Sequence, residues 1–337
     1  ERAMPVSEAG KREAQEFLRW AANDHFTFLG YREYKVAKQG KGEVLVRVRA
    51  ASLNYPDLLM TRGEYQFRPD PPFTSGMELA GEVVEADSDT PFAVGDRVMG
   101  GAKTGAFADF SSVPARSLRP IPDGLDSVTA GALGTTYVTA YTALVELGGL
   151  TSGQWVLVHG ASGGVGLAAC DLARALGARV IAATHDPSKV DAIREAAAPD
   201  AVIVNRDRFR DEVAALTGGA LCDLVLDPVG GDVFDESTRC VAFGGKLLVV
   251  GFVAGRIPDL AVNIPLIKGF SVVGVRAGEY ARRFPDRGAR IASEVSRLAA
   301  QGLIRPVIDR VLPLDRWREG FDAMASGELV GKVVFET

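Results

Sequence analysis

Residues 156–166 read Val156-Leu157-Val158-His159-Gly160-Ala161-Ser162-Gly163-Gly164-Val165-Gly166. A short apolar run, as expected of a strand covered on both faces, passes through a glycine-rich turn into GGVGLAACDLARALG, a helical pattern. Strand, glycine turn and helix in that order form the setting of a dinucleotide-binding fingerprint. Glycines let the backbone approach a pyrophosphate, and the helix start offers free N–H groups and the positive end of its dipole. The spacing is not the plain GxGxxG. Its nearest form is Ala161-x-Gly163-x-x-Gly166, which makes these three residues candidates for the turn. A glycine turn without a ligand looks the same in isolation, so the flanking segments matter.

Downstream, strand and helix patterns alternate through RVIAAT, SKVDAIREAA, DAVIVN, RDEVAALTGG, CDLVLDPV, DVFDESTRCVA, KLLVVGF and KGFSVVGVR. Such alternation calls for βαβ units on a parallel sheet. The class is α/β, with a doubly wound dinucleotide-binding domain. The strand after the glycine helix bears on the cofactor. NAD sites place Asp or Glu at its tip, about 20 residues past the loop, to hold the ribose 2′-hydroxyl. Here the strand ends in Thr184, 18 residues beyond Gly166, followed by His185, Asp186 and Lys189. With no carboxylate at the tip, Lys189 is the candidate to meet an adenosine 2′-phosphate, with Thr184 and His185 as further cofactor-binding candidates. NADPH is favoured over NADH, although the charge of Asp186 works against it. Taken alone, Lys189 would pass for a solvated residue of a first helical turn.

Upstream the texture differs. EVLVRVRAASL, from Glu43, alternates apolar and polar residues as a half-buried antiparallel strand does. LAGEVVEA, GDRVMG and AFADFSSVP add short strands between Gly/Pro turns, so 43–125 reads as a compact β domain. SVTAGALGTTYVTAYTALVELG is a long apolar helix. Beyond 277, ARIASEVSRLAAQG and WREGFDAMASG read as helices, and RPVIDRVLP and GKVVFE as strands. The last strand has no place in the parallel sheet and is expected back in the β domain. The expected division is an N-terminal segment 1–42, a β-rich domain from 43–130 and 278–337, and a dinucleotide domain at 131–277.

The length of 337 residues agrees with two domains. A net charge of −5, from 38 basic and 43 acidic residues, argues against a nucleic-acid partner. No run approaches the roughly 18 apolar residues of a membrane span, and the polar N-terminus has no signal-peptide core. Cys170, Cys222 and Cys240 make no disulfide framework and fit a reducing cytoplasm. No Cys and His stand at zinc-ligand spacing.

Together these features resemble the medium-chain dehydrogenase/reductase superfamily, and within it the zinc-independent quinone oxidoreductases of zeta-crystallin type. GEVLVRVRAASLNYPDLLMTRGEYQFRPDPPFTSGMELAGEVVEA is similar to that branch's GroES-like domain. GASGGVGLAACDLARALGARVIAAT, DLVLDPVGGDVF and LLVVGFVAGRIP are similar to its Rossmann domain, so the resemblance spans about 43–337. Zinc alcohol dehydrogenases of the superfamily carry a Cys after the second strand and a Gly-His-Glu. The matching stretches here are Ser52-Leu53-Asn54-Tyr55-Pro56-Asp57 and Gly76-Met77-Glu78. The resemblance therefore implies no zinc. It also implies an acceptor that is electrophilic by itself, a quinone or an α,β-unsaturated carbonyl.

The resemblance places Asn54 near the nicotinamide and substrate, its amide bonding the carboxamide or a quinone oxygen. It implies that Thr139 touches the cofactor, that Gly163, Gly164 and Val165 surround the pyrophosphate, and that Phe252 and Val253 lie beside the nicotinamide. Tyr65 falls at the cleft mouth, where a tyrosine of related enoyl-thioester reductases donates a proton. The family has a tyrosine near the adenosine after the third strand of that domain; here Asn205 or Arg206 stands in for it. A homodimer through the edge strand at 268–275 is implied, since an apolar edge must be paired or covered.

Residues 1–41 depart from the branch. SEAGKREAQEFLRWAAN (7–23) reads as a helix capped by Ser7 and FTFLGYREYKV (26–36) as one or two strands. Residues 13–36 resemble a segment of the large bacterial NAD-specific glutamate dehydrogenases and are expected to be a fused or exchanged piece. Three functions are carried forward. The first is NADPH-dependent reduction of a quinone or activated alkene, with Asn54 and Tyr65 as catalytic candidates. The second is reduction of a 2-enoyl thioester with Tyr65 as the acid. The third is NADPH binding without catalysis.

Overall fold

The structure, a computed structural model, describes residues 40–206 and 208–337. The helix expected at 7–23, the strands at 26–36 and the glutamate-dehydrogenase-like segment lie outside the described residues. The first domain opens with β1 (Glu43–Ser52), α1 (Tyr55–Thr61), β2 (Glu78–Ala86), β3 (Arg97–Gly100), β4 (Phe110–Pro114) and β5 (Leu118–Pro120). The chain closes with β12 (Ile308–Pro313), α10 (Trp317–Ser326) and β13 (Lys332–Glu336). The sheet order is β12-β13-β1-β2-β3-β5, with β4 also pairing β1.

The alternation read in EVLVRVRAAS is the burial pattern of β1: Val44, Val46, Val48 and Ala50 are buried. It breaks at Ala50-Ala51-Ser52, all buried. There β13 pairs antiparallel along one edge and β2 along the other, and Ala50 packs with Ala132 and Val334. GKVVFE, at the C-terminal end, thus lies beside the strand that opens the domain.

The second domain follows α2 (Ser127–Tyr141) and a π-helical turn at Thr142–Leu147. Its elements are β6 (Trp155–Val158), α3 (Gly164–Ala175), β7 (Arg179–Thr184), α4 (Val190–Ala197), β8 (Ala201–Val204), α5 (Arg210–Leu216), β9 (Cys222–Asp227), α6 (Gly231–Ser237), β10 (Val241–Val249), α7 (Asn263–Lys268) and β11 (Ser271–Gly274). All its strand pairings are parallel, in the order β11-β10-β9-β6-β7-β8. Val156 and Val158 face one core cluster and Leu157 the other. Each such buried side chain contributes about 1.5–3 kcal/mol. This is the doubly wound Rossmann arrangement beside a GroES-like domain. α8 (Ala277–Arg283) and α9 (Pro285–Ala300) then lead back to β12.

The chain leaves β6 toward β7 and β8, then crosses back to β9. The strand order therefore reverses between β6 and β9, and a crevice opens beyond their carboxyl ends. Three helices have no counterpart in the sequence reading: α1, α7 and α8. None exceeds seven residues, too short for an apolar period to register.

Candidate active site

The glycine turn sits at the mouth of this crevice. Gly160 has φ +59°, a left-handed conformation that favours glycine. At Gly166 an added Cβ would lie 2.2 Å from the Gly160 carbonyl oxygen and 2.7 Å from Ala161 Cα. Only glycine lets α3 pack so closely on the turn. Ala161 is fully buried and its N–H donates to the Ala183 carbonyl at 3.0 Å. Ala161 and Gly166 thus shape the turn from within, while Gly163, Gly164 and Val165 form its accessible face. Gly163 is the extended N-cap of α3 and no side chain caps the helix. Its first N–H groups are available to an anion.

Across the domain boundary the turn meets the C-terminal strand. Gly331 N–H donates to the Ser162 carbonyl at 2.9 Å, and a Cβ on Gly164 would lie 3.1 Å from both Lys332 Cγ and Thr136 Cγ2. Lys332 reaches from there into a buried polar cluster. Its Nζ donates to Glu78 Oε1 and to Asn54 Oδ1, the latter at 2.9 Å. Asn54 Nδ2 donates to Glu78 Oε1 at 2.9 Å and to the Ser52 carbonyl at 3.2 Å. Ser52 Oγ also donates to Glu78 Oε1, and the Thr135 N–H to Oε2 at 2.6 Å.

Burial alone would raise the Glu78 carboxyl. The Lys332 ammonium, with the hydrogen bonds from Lys332, Ser52 and Thr135, instead holds it below the usual carboxylate range. Asp57 lies beneath. Its carboxylate accepts the Asn54 N–H at 2.9 Å and the Gly76 N–H at 3.2 Å. Burial, with Glu78 nearby and against those two N–H donors and Lys332, pushes its pKa up to about 7. Asn54 is the N-cap of α1 and its N–H is held by the Asp57 carboxylate, so the helix start fixes the Asn54 backbone while Ser52, Glu78 and Lys332 fix its amide.

The remaining expected residues fall at two ends of the crevice. Thr139 lies one turn beyond Thr135 on α2, its hydroxyl donating to the Thr135 carbonyl at 2.7 Å. Phe252 and Val253 are exposed, by 40% and 52%, in a loop that the Val253 N–H ties to the Pro228 carbonyl at the end of β9. Beneath that loop Asp227 Oδ1 accepts the N–H groups of Val229 and Gly230. Its buried Oδ2 has no partner among the described residues, and burial raises its pKa. Tyr65 is half-buried in the loop after α1, with no hydrogen bond to its hydroxyl among the described residues.

At the other end, Thr184 and His185 stand at the tip of β7, Thr184 buried and His185 exposed. Two expectations are corrected here. Lys189 does not face a phosphate: it is 8% exposed, and its Nζ donates to the carbonyls of Gly327 and Leu329, the latter at 3.0 Å. Its long stem reaches the carbonyl of Gly327, which caps α10, and that of Leu329 in the loop beyond. Asn205 does not face the adenosine. Its Nδ2 bonds His159 Nδ1 at 3.0 Å in the interior.

The Ser237 hydroxyl is spent on the Val233 carbonyl at 2.6 Å, so it accepts from His159 Nε2 at 2.8 Å. This fixes the neutral His159 tautomer, and burial pushes its pKa down to about 3. Sequence reasoning passed over Glu78, Lys332, Asp57 and Asp227 as site residues. Glu78 had a signal in Gly76-Met77-Glu78; Lys332, in GKVVFE, had none.

Among the described residues no three His, Cys, Asp or Glu side chains converge as metal ligands, and no helix is long and apolar enough to cross a membrane. Residues 40–123 match the alcohol dehydrogenase GroES-like domain and residues 164–293 the zinc-binding dehydrogenase family. The chain is 34% identical to the quinone oxidoreductase-like protein 2 homolog of Nematostella vectensis, over 90% of this chain and 84% of that one. It is 37% identical to a segment of the mycoketide-CoA synthase of Mycobacterium tuberculosis, over 80% of this chain and 6% of the synthase. The mycobacterial protein Rv1454c, solved in complex with NADPH, superposes with a TM-score of 0.85 at 27% identity, over 92% of this chain and 95% of that one.

Proposed function

The chain belongs to the medium-chain dehydrogenase/reductase superfamily, and from that premise we propose that it is a zinc-independent, NADPH-dependent oxidoreductase that delivers hydride to a quinone or activated alkene. The observation that carries this reading is the buried Asn54–Glu78–Lys332 cluster beside the glycine turn. The stretches that would hold zinc present Asn54, Met77 and Glu78. An amide and a thioether are poor zinc donors, and the carboxylate is already paired with Lys332. A second cation would meet the Lys332 ammonium in a dry site. The donor set does not fit zinc.

NADPH, when bound, supplies the hydride. The chain supplies position. The first N–H groups of α3, at Gly163, Gly164 and Val165, hold the pyrophosphate. Thr184 and His185 border the adenosine end, and Thr139, Phe252 and Val253 the nicotinamide end. Both amide hydrogens of Asn54 are committed to Ser52 and Glu78, and one lone pair of its Oδ1 to Lys332. The other lone pair accepts from the nicotinamide carboxamide. Holding donor and acceptor carbons about 3–3.5 Å apart does most of the catalytic work. A quinone gaining one hydride needs one proton to become a hydroquinone, and the Tyr65 hydroxyl or solvent supplies it.

The likeness to part of the mycoketide-CoA synthase favours a second reading, reduction of a 2-enoyl thioester with Tyr65 as the acid. NADPH binding without turnover is the third. Three buried free cysteines support a cytoplasmic setting. A homodimer is supported by β11, whose outer edge has no strand partner among the described residues, with Val272, Leu266, Ile267 and Phe243 exposed around it.

The test follows absorbance at 340 nm anaerobically, with NADPH or NADH, against an ortho-quinone and a 2-enoyl thioester. Faster NADPH loss with the quinone is expected. Preference for the thioester, abolished in Tyr65→Phe with NADPH affinity kept, moves the assignment to enoyl reduction. Tight NADPH binding without loss on either acceptor leaves the binding role.

A further inference from the structure

With Lys189 and Asn205 both turned away, the tips of β7 and β8 present a different set of side chains. The two strands run parallel and in register, Thr184 opposite Val204, and the Asn205 N–H donates to the Thr184 carbonyl at 3.0 Å. The residues just beyond, His185 and Arg206, are therefore neighbours. Arg206 Nε donates to the His185 carbonyl at 3.2 Å. That bond uses one edge of the guanidinium and leaves both terminal nitrogens without a partner among the described residues. Arg206 is exposed, in contrast to the buried Asn205.

Asp186 is the neighbouring carboxylate. Its Oδ1 is taken by the Ser188 N–H at 2.9 Å and the Ser188 hydroxyl at 2.7 Å, as the cap of the turn at Pro187–Lys189. No ion pair forms between Asp186 and Arg206 among the described residues, although Arg206 is close enough to help hold the Asp186 carboxyl down, after the larger effects of Ser188 and Lys189. A planar guanidinium anchored by Nε, its terminal nitrogens without a partner among the described residues, is pre-set for two parallel bonds to a phosphate.

We propose that Arg206, anchored on the His185 carbonyl, is the residue that recognises the adenosine 2′-phosphate and so sets the preference for NADPH over NADH. The crevice of a doubly wound sheet places the adenosine ribose at the tip of the strand after the glycine helix, and an arginine nearby is the chemistry that accommodates a 2′-phosphate. Lys189 serves instead as a tie between the Rossmann domain and the chain after α10. This proposal rests on the reading of the crevice as a nicotinamide-nucleotide site.

The experiment titrates the full chain and its variants with NADPH and NADH by cofactor fluorescence, and by competition with 2′,5′-ADP and 5′-AMP. Arg206→Gln should weaken NADPH and 2′,5′-ADP about tenfold or more, the scale of charge-assisted bonds to one phosphate. NADH and 5′-AMP should stay within about twofold, because they lack that group. Arg206→Lys should retain part of the preference as a point charge. Lys189→Met should unfold more easily yet keep the NADPH to NADH ratio.

Unchanged NADPH affinity in Arg206→Gln overturns the proposal, as does an equal loss for both nucleotides. Loss of the preference in Lys189→Met but not in Arg206→Gln also overturns it. A wild-type protein that binds NADH better than NADPH overturns the role of Arg206 and leaves the nucleotide site standing. A wild-type protein that binds neither overturns the site reading itself.

Discussion

Lys332, at the start of the last strand, forms a buried ion pair with Glu78, at the start of β2, and the two share Asn54 between them. Removing one charge leaves the other uncompensated in a dry site. Lys332→Met should cost about 3–5 kcal/mol of unfolding free energy in urea titration, and adding Glu78→Gln should recover part of it. The pH dependence has a defined sign. Without Lys332, burial dominates and the folded Glu78 pKa rises above its unfolded value. The single variant then loses stability as pH rises above about 4.5, which paired titrations at pH 5 and pH 8 would detect.

Gly166→Ala tests whether the turn is held to a single shape. Its Cβ would sit 2.2 Å from the Gly160 carbonyl oxygen, a backbone atom that cannot swing aside. A loss of about 1–3 kcal/mol from overpacking is expected in denaturant unfolding, together with loss of NADPH fluorescence enhancement. Gly163→Ala meets only the Gly160 carbonyl oxygen at 3.4 Å, so it should fold normally, and any loss of cofactor affinity there reports on the pyrophosphate rather than on packing.

His159 predicts an acid limb in the stability profile. Its folded pKa, about 3, lies below the ordinary 6.5. Between those values the unfolded chain binds the extra proton. Stability from this residue is therefore full above pH 6.5 and falls by up to about 1.4 kcal/mol per pH unit as pH drops toward 3. His159→Gln, which keeps one donor and one acceptor, should be less stable at pH 7 and show a shallower slope between pH 6.5 and 4. Urea midpoints at four pH values measure both.

Val272, 39% exposed on the unpaired β11 edge, tests the proposed homodimer. Val272→Asp places a charge on an edge that must otherwise pair through its backbone. Sedimentation should show the wild-type chain as a dimer and the variant shifted toward monomer, with the far-ultraviolet spectrum unchanged. A wild-type monomer would contradict the pairing.

The glycine turn was legible because its meaning is local: strand, turn and helix are contiguous, and Gly160 and Gly166 are required by backbone geometry within a few residues. The parallel sheet was legible for the same reason, since strands covered on both faces are apolar throughout. The direction of a polar side chain has no such local signature. Lys189 has the sequence of an exposed residue at a helix start and is drawn instead to carbonyls at the end of α10. Asn205 follows an apolar strand and turns inward to His159, because a buried imidazole must be bonded. Glu78 and Lys332 lie far apart in the chain, and neither GMELA nor GKVVFE announces a partner. The sequence by itself determined the two kinds of domain, the glycine turn and the alternation of strands and helices, through propensity and periodicity acting over a few residues. Only the tertiary structure decided that Glu78 and Lys332 are buried together and that Lys189 is spent on backbone carbonyls, because satisfying buried polar groups is a property of the packed whole.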